Sequence, residues 1–196
     1  MEKLAGLDYL KITVLAEDSV LYESPYLGQH GVSFLLEGVS GENTKRILVD
    51  VGQNSDALLS NMRTMGISPS IIDAIVLTHC HYDHTQGVAR MLREIGKKDV
   101  QVIAHPSIFR LHFITQPYPR LVGVMPGDSR ADIEKAGGSL SLAKDPFVIM
   151  PGIMTTGEVK RRTEFEQPPI GLKTIENGMV VDDSMLDDIS VIANVR

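Results

Sequence analysis

Residues 78–84 read T-H-C-H-Y-D-H, and they follow directly on the apolar run I-I-D-A-I-V-L of residues 71–77. A run of this kind, bounded by Ser68-Pro69 before it and by polar residues after it, predicts a buried strand. The polar stretch then sits at the carboxyl end of a central strand, where open α/β sheets collect their ligands. Apolar periodicity resumes at Val88, Leu92 and Ile95, which predicts a helix from about Thr85 to near Gly96. Residues 100–104 follow as a second short buried strand. This strand–helix–strand succession predicts a mixed α/β layer covered by helices.

The spacing within the stretch carries chemistry. In a turn leaving a strand, His79 and His81 point the same way and can hold one metal ion through neutral imidazoles. Asp83 and His84 curl beneath them toward a second ion. Imidazole with carboxylate suits zinc by default, and iron or manganese nearly as well. The bland alternative is a polar loop in which Asp83 caps a helix; three histidines within six residues are hard to explain by capping.

The rest of the chain supplies walls. Residues 10–15 alternate as a strand, and residues 16–28 are a polar loop that can carry Tyr22 or Tyr26 toward a cleft. Residues 31–37 and 46–51 read as two strands joined by a hairpin over 38–45. His30 opens the first of them, and either lines the cleft or makes a structural hydrogen bond. Residues 54–65 form a helix with Asn54 or Ser55 as cap, an apolar stripe of Leu58, Leu59, Met62 and Met65, and Gly66 as its stop. His105 ends the strand 100–104 as His79 ends its own, in reach of a substrate or of a metal-binding carboxylate. His112, inside I-F-R-L-H-F-I, reads as packing near a helix end. Turn signals at residues 116–119 and 125–128 open a stretch, 115–150, with one short helix at 129–136 and one or two short strands, expected as a small insertion or lid. Residues 155–157 give a tight turn with the hydroxyl of Thr156 free. Arg161 can grip an anionic group such as phosphate, with Glu158 fixing that arginine or a water. A hairpin turn at 176–178 leads through Asp182-Asp183 and Asp187-Asp188 to a final strand, 189–194.

The stretch 78–84 resembles the H-x-H-x-D-H motif of the metallo-β-lactamase superfamily, matching at His79, His81, Asp83 and His84. L-V-D-V-G at residues 48–52 resembles that superfamily's short strand ending in Asp and Gly. More narrowly, H-G-V-S-F-L-L-E (30–37), A-H-P (104–106) and T-T-G-E-V (155–159) resemble the branch named for 7,8-dihydropterin-6-yl-methyl-4-(β-D-ribofuranosyl)aminobenzene 5'-phosphate synthase. The resemblance implies an αββα sandwich and two divalent transition metal ions held by His79, His81, Asp83 and His84. It implies that Asp50 orients the metal loop by hydrogen bonds without touching an ion, and that His30 and Glu158 belong to the cleft. It also implies two further histidines and a bridging Asp or Cys, yet no histidine follows His112. The expectation is therefore the N-terminal part of the sandwich lacking its C-terminal portion: residues 1–114 with the metal motif, 115–150 as the insertion, and 151–196 returning to the core. The remaining half would come as a continuation or as another chain beside residues 189–195.

Composition sets the outer limits. At 196 residues, 43% hydrophobic and 22% charged, the chain has ordinary globular usage and enough length for one sizeable core. A formal charge of -6, with no basic cluster larger than Lys160-Arg161-Arg162, gives no footprint for nucleic acid. Lone Cys80 excludes an intrachain disulfide, the chain opens M-E-K-L without an apolar signal segment, and no run approaches a membrane span. A cytoplasmic enzyme acting on a small molecule, phosphorylated substrates included, is the expectation, with oligomerisation open. The visible residues favour a hydrolase in which a metal-activated water, oriented by Asp83, attacks the substrate. The alternative implied by the branch is a transferase making a carbon–carbon bond between a dihydropterin methyl diphosphate and an aminobenzene ribofuranosyl phosphate. A third reading is a binding module with an inactive site.

Overall fold

The fold begins with a mostly exposed edge strand laid against a buried one. A computed structural model describes residues 6–166, 168 and 171–196, so the M-E-K-L opening falls outside it. Strands β1 (Tyr9–Ala16), β2 (Ser33–Ser40) and β3 (Asn43–Val49) form an antiparallel meander, β2 and β3 closing tightly at Ser40↔Asn43. Helix α1 (Ser55–Thr64) starts where Asn54 accepts hydrogen bonds from the amides of Asp56 and Ala57. Strand β4 (Ala74–Val76) is shorter than the apolar run suggests. Pro69–Ile71 forms a 3-10 turn, because Pro69 fixes the backbone and the Ser68 side chain accepts from the Ser70 amide.

The helix expected from Thr85 is divided. A single turn, α2 (Tyr82–Thr85), is followed by α3 (Val88–Ile95). Gly87 lies between them at φ 94, a conformation that favours glycine. Asp128 caps α3 from a distant loop, accepting from the amides of Gly87 (2.7 Å) and Ala89 (2.9 Å). The chain continues through β5 (Val100–Ala104), β6 (Phe113–Ile114), β7 (Arg120–Leu121), α4 (Arg130–Lys135), β8 (Gly138–Leu142), β9 (Val148–Met150), β10 (Ile153–Thr155), β11 (Leu172–Glu176), β12 (Met179–Asp182) and β13 (Val191–Ala193).

The large sheet has the order β1-β2-β3-β4-β5-β8, antiparallel across β1 to β3 and parallel from β3 to β8. Within the stretch expected as an insertion, α4 and β8 therefore extend the core itself. Leu48, Ile75 and Val102 face the helices and pack with Leu58, Met62, Met91, Leu92 and Ile133. Their neighbours Ile47, Val49, Ala74, Val76 and Ile103 face the other way, against Ile149, Met150 and Ile153 of a small sheet ordered β13-β10-β9. That two-residue alternation is the strand pleat. It produces a helix layer, a large sheet and a smaller sheet, stacked in that order. A separate four-stranded sheet, β12-β11-β6-β7, lies beside them. No helix among the described residues is long and apolar enough to cross a membrane.

Candidate metal centre

The parallel strands β3, β4 and β5 end on the same side of the large sheet, and each delivers a polar residue there: Asp50, Thr78 with His79, and His105. Asp50 is buried at φ 56. Its Oδ1 accepts from the Thr78 amide (2.8 Å), and its Oδ2 from the Thr78 hydroxyl (2.6 Å) and from His84 Nδ1 (2.8 Å). One carboxylate thus ties the first and last residues of the motif together. Gly31 makes this possible from the other side: a side chain there would put its Cβ 1.7 Å from the Asp83 carbonyl oxygen.

The turn α2 gathers the imidazoles. His79 Nε2 lies 3.0 Å from His81 Nδ1, and the His79 and His84 rings are 4.1 Å apart between centroids. His84 Nε2 is 3.4 Å from Asp83 Oδ2, and exposed His30 reaches the same oxygen at 3.5 Å. Burial, then the charges of His84 and His81, lower the pKa of His79 to about 3, so it is a neutral donor at any ordinary pH. Burial also lowers that of His81, helped by His112. At His84 burial works against charge, but hydrogen bonds to Asp50 and Asp83 outweigh it and raise the pKa to about 9. Burial opposes ionisation of Asp83, and the same histidine overcomes it, bringing the carboxyl to about 2. Among the described residues no three His, Cys, Asp or Glu side chains converge on a single point for an ion; the donors face each other in pairs.

His112 corrects the sequence reading. It is not a packing residue at a helix end: the 3-10 turn Pro106–Phe109 stops short of it, and the buried ring joins the cluster. Its Nε2 is 2.9 Å from His81 Nε2, and its Nδ1 is 2.6 Å from Asp183 Oδ2. Arg110 holds Asp183 through two hydrogen bonds of 2.7 and 3.0 Å and pairs with Asp187 at 2.7 Å. Asp187 in turn accepts from the Cys80 amide at 2.6 Å, inside the motif. Burial would raise the Asp183 pKa, but His112 and Arg110 hold it well below the usual carboxylate range. Burial beside Asp187 pushes the Cys80 thiol up, so it stays protonated. The sequence signal for this group is Arg110 and His112 set within an apolar run, which demands buried carboxylates from elsewhere.

The structure separates the other expected site residues from the cluster. His105 is buried, takes a hydrogen bond from the Ser107 amide on Nδ1 (3.1 Å), and faces Glu158 at 3.5 Å. Glu158 pairs with Lys144 at 3.0 Å and not with Arg161. Arg161 pairs instead with Asp188, and so is not free for an anion in this arrangement. The Thr156 hydroxyl is also engaged, donating to the Gly157 carbonyl and accepting from the Ser190 amide. Asp188, Asp50, His79 and His84 form the polar end of a groove of about 640 Å³ whose walls include Ile12 and Phe34.

Residues 45–174 match the family model described as the beta-lactamase superfamily domain, and the chain belongs to that superfamily. A protein of Methanocaldococcus jannaschii named 7,8-dihydropterin-6-methyl-4-(beta-D-ribofuranosyl)-aminobenzene-5'-phosphate synthase is 43% identical over 191 residues, 96% of this chain and 65% of its own length. An uncharacterised protein of the same organism is 33% identical over 176 residues, 90% of this chain and 63% of its own. The chain thus spans less than two thirds of the length of either. A solved metal-dependent hydrolase of the beta-lactamase superfamily shares the fold, with TM-score 0.71 at 18% identity over 94% of this chain and 61% of that one. The hydrolase preferred from the motif alone does not stand. A relative 43% identical along nearly the whole chain is named a synthase, while the hydrolase likeness extends only to the fold.

Proposed function

We propose that this chain carries the metal-binding residues of an enzyme that joins a dihydropterin methyl group to a ribofuranosylaminobenzene 5'-phosphate. The observation that carries the reading is the 43% identity to the M. jannaschii synthase over 96% of the chain, a span that includes every residue of the cluster. A dihydropterin methyl diphosphate and an aryl amine are the reactants this product requires. The amine nitrogen is a stronger nucleophile than the ring carbons, so the new bond is carbon–nitrogen in place of the carbon–carbon bond expected above. It forms as the methylene carbon–oxygen bond to diphosphate breaks, and the amine loses a proton.

The residues fit divalent ions in pairs. At metal–nitrogen distances of about 2.0–2.1 Å, two tetrahedral ligands lie about 3.4 Å apart. His79 Nε2 to His81 Nδ1 is 3.0 Å and His84 Nε2 to Asp83 Oδ2 is 3.4 Å. At the His79–His81 pair proton placement agrees. The Thr78 hydroxyl is spent on Asp50, so it accepts from His79 Nδ1–H at 3.0 Å and leaves the His79 Nε2 lone pair facing His81. Zinc, iron or manganese suits this donor set, and ions bound there would neutralise charge on the departing diphosphate. Asp50 holds Thr78 and His84 in register. The groove beside the cluster, walled by apolar side chains such as Ile12 and Phe34, is where a flat ring would lie. An anion entering its polar end would have to draw Arg161 away from Asp188.

Incubating the intact, metal-loaded protein with the dihydropterin methyl diphosphate and the ribofuranosylaminobenzene phosphate tests the reading. The expected result is the coupled product by mass spectrometry, with diphosphate released in equal amount. Release of diphosphate without coupling, or no turnover of either compound, would overturn it.

A further inference from the structure

We infer that His112, backed by Asp183 and Arg110, is a positioning residue that fixes the proton and the orientation of His81. The inference rests on the reading of His79 and His81 as a metal-binding pair. It follows from where each proton must lie along a chain of four buried or half-buried groups. The Asp183 carboxylate, held by Arg110 at 2.7 and 3.0 Å, can only accept, so the proton between it and His112 sits on His112 Nδ1. A His112 ring with that single proton presents a bare Nε2 to His81 at 2.9 Å. His81 must then donate from its own Nε2–H. Its Nδ1 is left with a lone pair, aimed at His79 Nε2 across 3.0 Å.

Two lone pairs facing each other at that distance are what a cation requires on two of its sides. An imidazole that binds metal is commonly oriented by a partner on its other nitrogen, and that partner is usually a carboxylate, a carbonyl or water. Here the partner is a second imidazole, and the carboxylate stands one residue farther back. Asp50 serves His84 directly at 2.8 Å and reaches His79 only through Thr78, whereas His112 touches the His79–His81 pair alone. Loss of His112 should therefore weaken one ion and spare the other.

Stepwise titration of the intact protein with Co2+, followed by its visible absorption and by competition with a chelator, separates the two sites. In His112→Asn the shorter amide still reaches Asp183 but no longer His81. We expect it to lower affinity for one of two ions by about tenfold to a hundredfold and to change that ion's absorption bands. His112→Gln, which places its amide near the position of Nε2, should restore most of the loss. Should His112→Asn fail to fold, Asp183→Asn keeps the shape, weakens the hold on the His112 proton, and should affect the same ion. Unchanged affinity and spectrum in the folded variants would overturn the inference, as would an equal loss at both ions that tracks the melting temperature. A wild-type protein that binds no Co2+ would remove the metal reading and the inference with it. Binding of two ions with His112 dispensable would remove the inference alone.

Discussion

Asp50 carries three hydrogen bonds on one buried carboxylate, at 2.8, 2.6 and 2.8 Å, and each goes to a residue of the histidine turn. Asp50→Asn keeps the shape but exchanges one acceptor oxygen for a donor. The variant is expected to retain the site while losing tenfold to a hundredfold in metal affinity, the usual penalty for disturbing a ligand's support, as read by chelator competition. Asp183 predicts an acid response. Its folded pKa lies below the unfolded value of about 3.9, because His112 and Arg110 outweigh burial. Its contribution is thus present above the unfolded value and lost as pH falls through the folded one. Melting temperature should fall below about pH 4 in the wild type and fall less steeply in Asp183→Asn; parallel curves would refute the assignment. The histidine turn was legible because its members are contiguous. Arg110, His112, Asp183 and Asp187 were not, because their hydrogen bonds span 73, 71 and 107 positions, and no periodicity encodes a pairing at that range.

Elements that depend on local pattern were read well, and the reasons for the misses are local too. The strands at residues 10–15 and 31–37 and the Asn54-capped helix each announce themselves by alternation or by a cap. The strand before the motif was overextended because an apolar run hides a 3-10 turn at Pro69. The helix after it was drawn as one because the periodicity of Val88, Leu92 and Ile95 conceals the break at Gly87. What starts α3 is not on α3 at all: Asp128, 41 positions away, takes the Gly87 amide. Asp128→Ala is expected to cost about 0.5–2 kcal/mol, the range for loss of a helix cap, measured by denaturant unfolding. A change within error would show that the α3 amides find water instead. The short helix and a short strand expected within residues 115–150 are present as α4 and β8, but the five residues G-S-L-S-L carry too little apolar pattern to show that this strand joins the large sheet.

At the scale of the whole molecule, the layers follow from the alternation of Ile47, Leu48 and Val49, which gives the large sheet two apolar faces. Helices cover one, and the small sheet covers part of the other. The segment that leads into its edge strand β13 is tied to the motif by a hydrogen bond from the Ile189 amide to the Thr78 carbonyl at 2.9 Å. The histidine turn therefore leans on residues 183–189, far along the chain from itself. The hydrogen bond between the Cys80 amide and Asp187 closes a loop of 107 positions, and synthesis proceeds in one direction. At about 5–20 residues per second, roughly 5–20 seconds separate the emergence of the two partners. During that interval three imidazoles exist without the carboxylates of Asp183 and Asp187 to hold them. Until the chain behind it closes, the turn must keep its shape on Asp50 alone.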